Sequence, residues 1–200
     1  MLLKTRGIIL RTLKYSETSL ITDIFTEEKG LRSYIISGVR TPKAKVAAGL
    51  LQVTSLVDLV AYEKEEANKL NRIKEIKAAH VYTSLPFDVQ KSSVAIFMAE
   101  TARHTLKGVE INAPLFNFLF DIFKFLDETT GNYANLHLCF MLEMSHFLGF
   151  QPHNDTYTEG SIFDLKEGVF QQGHIGHSHF LDENKRNYTE GFTPNSLVSV

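Results

Sequence analysis

A single cysteine, Cys139, is all the thiol chemistry this 200-residue chain possesses. That count excludes an internal disulfide framework and a cysteine-rich zinc module, and a reducing cytoplasm is the simplest setting for it. Tryptophan is absent, and the aromatic content leans to phenylalanine, with 15 Phe against 7 Tyr. The most apolar run, Leu115 to Leu126, contains Asp121 and Lys124 and falls well short of the ~20 residues a membrane span needs. Met1-Leu-Leu-Lys4 is too soon interrupted by charge to be a secretory signal. A soluble, cytoplasmic protein that does not meet a membrane is the expectation. Catalytic signatures are missing too. There is no G-x-x-x-x-G-K phosphate loop, no G-x-G-x-x-G after a strand and no G-x-S-x-G elbow. The acid pairs Glu27-Glu28 and Asp127-Glu128 fall at a turn and a helix end, where solvation accounts for them. The chain is expected not to be an enzyme.

What is present begins with a hairpin. Ser19 to Phe25 and Leu31 to Ile36 are rich in β-branched and aromatic residues, and Thr26-Glu27-Glu28-Lys29-Gly30 separates them. Gly30 supplies the positive φ that such a loop needs. Thr5 to Thr12 reads as a strand with Gly7 as a bulge or kink, and Gly49 to Tyr62 reads as another. Several short strands with turn residues between them imply a small barrel or sandwich. Charge is distributed unevenly. Within residues 1–62, nine bases face five acids; from residue 81 onward, fourteen acids face seven bases. The net charge of −2 thus conceals a basic barrel on an acidic remainder, the electrostatic footprint of a nucleic-acid binder.

Five pieces of this region, in order and spacing, resemble the RecO family of bacterial recombination mediators and DNA-repair proteins. They are Thr5-Arg6-Gly7-Ile8-Ile9-Leu10, Ser16-Glu17-Thr18-Ser19, Phe25 to Gly30, Ser37-Gly38-Val39-Arg40 and Leu50-Leu51-Gln52. The resemblance implies an α+β multidomain protein. A five-stranded OB-fold barrel at the N-terminus is followed by an α-helical domain with a degenerate zinc-ribbon-like segment. It also implies binding of single- and double-stranded DNA, strand annealing, and partnership with RecR and single-stranded DNA-binding protein. A fifth strand is then required over Asn68 to Ala78, where Leu70, Ile73 and Ile76 fit helix and strand about equally.

Leu85-Pro86 marks the expected domain boundary, giving a barrel domain over 1–80 and a helical domain over 81–200. Asp88 caps a helix to about Leu106. Asn112 and Pro114 open a second, closed by Gly131, and Asn132 opens a third that stops at Gly149. The short loops predict antiparallel neighbours. The second helix is apolar nearly all round. It is either the centre of its domain or, in part, a groove for a partner peptide at Phe116, Phe120 and Phe123. The resemblance implies that the C-terminal tail of single-stranded DNA-binding protein is such a peptide.

Where zinc-binding members of the family carry two C-x-x-C pairs, this chain has Tyr157 and Gly160, then His174, His177 and His179. A structural zinc site ordinarily includes thiolates, so no metal and no cofactor is expected in the ribbon-like segment over about 150–182. Beyond it the polar tail, broken by Gly191 and Pro194, is either truncated or diverged.

The candidate DNA-binding residues are Arg11, Lys14, Arg32, Arg40, Lys43 and Lys45, with Arg40, Lys43 and Lys45 on a basic loop. Tyr34, Phe25 or Tyr15 are candidates for base stacking, against the alternative that strand aromatics are core. Two function classes stay open: a DNA-binding recombination mediator, and a protein-interaction adaptor with only weak DNA contact.

Overall fold

The computed structural model describes residues 2–39, 48–63, 70–106, 111–153 and 155–181. Arg40, Lys43, Lys45 and the tail lie outside them. The chain divides into two compact units, residues 1–133 and 134–200.

Five strands build the first unit: β1 (Leu2–Lys14), β2 (Leu20–Thr26), β3 (Gly30–Ile36), β4 (Leu56–Tyr62) and β5 (Asn71–Ala78). They close in the order β1-β2-β3-β5-β4, which leaves no free edge. Long β1 serves both neighbours, its first half pairing with β4 and its second with β2. Closure is completed by a short parallel contact, Tyr34 with Asn71 and Ile35 with Arg72. Ile9, Ile24, Tyr34, Leu51, Val57 and Leu59 fill the interior.

The hairpin forms as its residues dictate, with Gly30 at φ 65° opposite Thr26. Thr26 Oγ1 donates to the Gly30 carbonyl and accepts from the Lys29 amide. Two local expectations need correction. The register shift in β1 falls between Ile9 and Arg11, not at Gly7. Gly7 is instead a point of close approach, where a Cβ would stand 2.6 Å from Ile24 Cγ2 and 2.8 Å from Leu59 Cδ2. Nor is 49–62 one strand. Ala48–Leu51 is a 3-10 turn that drives Leu51 into the core, and Thr54 turns the chain at φ 78° before β4 begins. That conformation is costly for a β-branched residue. It is held by the Thr54 amide donating to Ile9 O and by the Tyr82 hydroxyl donating to Thr54 O.

Two helices belong to the same unit, α1 (Val89–Thr105) and α2 (Ala113–Glu128). Asp88 Oδ1 accepts from the Gln90 and Lys91 amides, and Asn112 Oδ1 accepts from the Leu115 amide, which satisfies first-turn donors. Phe116 of α2 lies on Phe25 of β2, ring centroids 5.8 Å apart. Phe116, Phe120 and Phe123, the candidates for a partner-peptide groove, are buried in this unit.

Asp127 ties the 80–85 segment to the end of α2. Its carboxylate accepts from the Thr83, Ser84 and Leu85 amides and lies 3.3 Å from His80 Nε2. Buried Lys91 completes the knot, its Nζ donating to the carbonyls of Asp127 and Thr129 and to Ser84 Oγ.

In the second unit, α3 (Leu136–Phe147) starts after Asn135 rather than Asn132. Three short strands follow, β6 (Ile162–Asp164), β7 (Val169–Gln171) and β8 (Phe180–Leu181), in the order β7-β6-β8. No helix among the described residues is long and apolar enough to cross a membrane.

Candidate nucleic-acid interface

Strand pairing decides where each basic side chain goes. Arg11 sits opposite Asp23, and its Nη1 lies 3.6 Å from Asp23 Oδ2. Lys14 ends β1 with its Nζ 3.6 Å from Glu17. Arg32 sits opposite the core residue Ile24. Its Nε is 4.0 Å from Glu63, and its Nη1 donates to the Leu31 carbonyl. Burial pushes the Glu63 carboxyl above its ordinary range, against the pull of Arg32 and Lys29. Arg32 thus has an internal counterion that its sequence neighbourhood does not reveal.

Arg6, the most engaged cation, is part of the scaffold. Its Nε and Nη2 donate to Glu27 at 2.9 and 2.7 Å, and Nη2 also reaches Asn117 of α2. The guanidinium lies over the rings of Phe116 and Phe120 at 5.2 and 4.9 Å. The hydrogen bonds to Glu27 raise the Arg6 pKa and hold the Glu27 carboxyl below its usual value. Lys77 lies 3.4 Å from Asp58. Much of the barrel's formal charge excess is therefore met locally.

The turn between β1 and β2 is held by its backbone. Tyr15 and Ser16 donate their amides to Ser19 O, and the Val39 amide donates to Thr18 O. Tyr15 is 62% exposed, whereas Tyr34 and Phe25 are fully buried, one inside the barrel and the other beneath α2. Of the three stacking candidates, only Tyr15 has a ring face that a base can reach. One cation was not among the sequence candidates: Arg103 of α1 places Nε 3.7 Å from Asp23 Oδ2, the oxygen that Arg11 also faces. Helical position alone carries no signal of that encounter.

No group of three or more His, Cys, Asp or Glu among the described residues has the geometry to hold an ion. His177 Nε2 instead lies 3.3 Å from Asp164. Asp164 Oδ1 accepts from the Lys166 and Glu167 amides, and Oδ2 accepts from Gln171 Nε2. Burial pushes the Asp164 carboxyl up, but the two amides and His177 outweigh it and hold the group below the ordinary range. Around this hub, Phe170 packs against Tyr157 and Phe163 with centroids 5.1 and 4.8 Å apart.

A closed β1-β2-β3-β5-β4 barrel, packed by helices and carrying an exposed tyrosine at its first turn, defines an OB-fold protein with an appended helical region. The family models described as Recombination protein O N terminal and Recombination protein O C terminal match residues 1–82 and 86–172. A DNA repair protein RecO of Phocaeicola vulgatus is 39% identical over 181 residues, covering 90% of this chain and 75% of that one. Its Bacteroides fragilis counterpart is 38% identical over 170 residues, with 85% and 70% covered. The Flavobacterium johnsoniae protein of the same name is 32% identical over 188 residues, with 94% and 77% covered. The chain belongs to the RecO family.

Proposed function

We propose that this chain is a recombination mediator for DNA repair, and not an enzyme. In this reading it binds single- and double-stranded DNA on the barrel, promotes annealing of complementary strands, and loads recombinase together with RecR and single-stranded DNA-binding protein in the cytoplasm. The observation that carries the reading is the succession of Arg11, Lys14 and exposed Tyr15 along the end of β1 and the turn that follows it. Cations there neutralise phosphates by counterion release, and an exposed ring supplies sequence-tolerant stacking. Lowering the repulsion between two strands is what lets them anneal.

The adaptor reading draws support from one observation: Arg11, Lys14 and Arg32 each stand within 4.0 Å of a carboxylate. A salt titration separates the two. For the mediator, affinity for single strands falls steeply with salt whatever the base sequence. Replacing Arg40 and Lys43 together by Ala flattens the log–log slope by roughly one unit or more, at roughly 0.7 per phosphate contact, and slows annealing. A shallow parent slope that the double variant leaves unchanged favours the adaptor.

We also propose that the protein works without a resident metal, its three-stranded sheet held by Asp164 and the Tyr157–Phe170–Phe163 cluster. Chelation is expected to leave the melting temperature unchanged. Finding about one zinc per chain, lost on replacing His174 and His177, overturns this.

A further inference from the structure

We propose that Arg103 and Arg11 form a phosphate-binding pair, with Asp23 as an internal counterion standing where a backbone phosphate of the nucleic acid docks. The proposal rests on the reading of the barrel as a nucleic-acid binder and adds Arg103 and Asp23 to it. Arg11, Asp23 and Ser33 occupy directly opposed positions on β1, β2 and β3, and so share one face of the sheet. Arg103 reaches that face from the last turns of α1.

Asp23 divides its two oxygens. Oδ1 accepts from Ser33 Oγ at 2.7 Å. Oδ2 faces both guanidinium groups, at 3.6 and 3.7 Å. Those are ion-pair distances rather than hydrogen bonds. Neither guanidinium donates a side-chain hydrogen bond among the described residues. Two forks of N–H donors are thus gathered around one anion that balances only one of their charges. The Arg103 side chain is 21% exposed and that of Arg11 40%, accessible enough to meet a ligand yet more shielded than a free surface lysine. A guanidinium fork matches phosphate oxygens two at a time. A phosphate entering here would receive the donors that the carboxylate leaves unused, and Lys14 and Tyr15 lie next along the same strand and turn.

A plain structural tie between α1 and the barrel makes the opposite forecast, so substitution of the acid is the sharpest test. Binding of an oligodeoxythymidylate is measured across a salt series for the parent, Asp23→Asn, Arg103→Gln, Arg103→Lys and Lys14→Ala, with thermal melts confirming that each is folded. Asp23→Asn keeps an acceptor for Ser33 but removes the competing charge, and is expected to tighten binding several-fold. Arg103→Gln weakens binding and flattens the slope by roughly 0.7, while Arg103→Lys keeps the slope but loses part of the affinity. A steep parent slope, reduced by Lys14→Ala but unchanged by Arg103→Gln and Asp23→Asn, overturns the pair and leaves the nucleic-acid reading standing. A parent with no salt-dependent binding overturns both. Should Asp23→Asn fail to fold, the two Arg103 variants decide the matter alone.

Discussion

Asp127→Ala is expected to lower folding stability by about 3–5 kcal/mol, the range for removing one partner of a buried charged network. Three amides, those of Thr83, Ser84 and Leu85, would lose their acceptor in a buried setting. Each orphaned donor bears a desolvation cost. Asp127→Asn should fall between parent and alanine, since its amide retains one acceptor oxygen. Burial pushes the Asp127 carboxyl up, but the amides and His80 outweigh it and hold the folded-state value far below the ordinary carboxylate range. A depressed folded pKa contributes stability above the unfolded value, about 3.9, and loses it as pH falls through the interval below. The gap between parent and Asp127→Ala should therefore be full at neutral pH and shrink below about pH 4. Denaturant midpoints measured across pH check both statements. Equal midpoints at neutral pH would remove the carboxylate from the account of how barrel and helices cohere.

Gly7→Val should lower stability by about 3 kcal/mol, at the upper end of ordinary overpacking. Even a single Cβ at this site would lie 2.6 Å from Ile24 and 2.8 Å from Leu59, both fully buried or nearly so. Neither side chain can retreat without displacing its neighbours in a closed barrel. Gly49→Ala is the control: nothing lies within 4 Å of its added carbon, so chemical denaturation should hardly distinguish it from the parent. A Gly7→Val protein as stable as the parent would mean that the interior has slack that these distances deny.

The strands and caps were legible because their causes are local. β-branched alternation around Thr26 to Gly30 leaves little but a hairpin, and Asp88 and Asn112 stand where first-turn amides need acceptors. The turn at Thr54 was not legible, since its left-handed backbone is held by a hydrogen bond donated to Ile9 and one accepted from Tyr82, both distant in sequence. The phenylalanines of α2 show the same limit. Periodicity marks them as needing cover, but only the tertiary structure says that Phe25 and Arg6 provide it. The basic residues were half legible. Their clustering stands out in the sequence, but the carboxylates that temper Arg11 and Arg32 arrive from other strands, and Arg103 arrives from a helix.

Because Arg6 grips Glu27 on one side and Asn117 on the other, while Phe25 meets Phe116, barrel and helices are matched like the halves of a mould. Recombining this barrel with the helices of a divergent relative would break that match unless both faces travelled together. Descent should accordingly have altered the two faces in concert, so that substitutions at residues 6, 25 and 27 track those at 116 and 117 across the family.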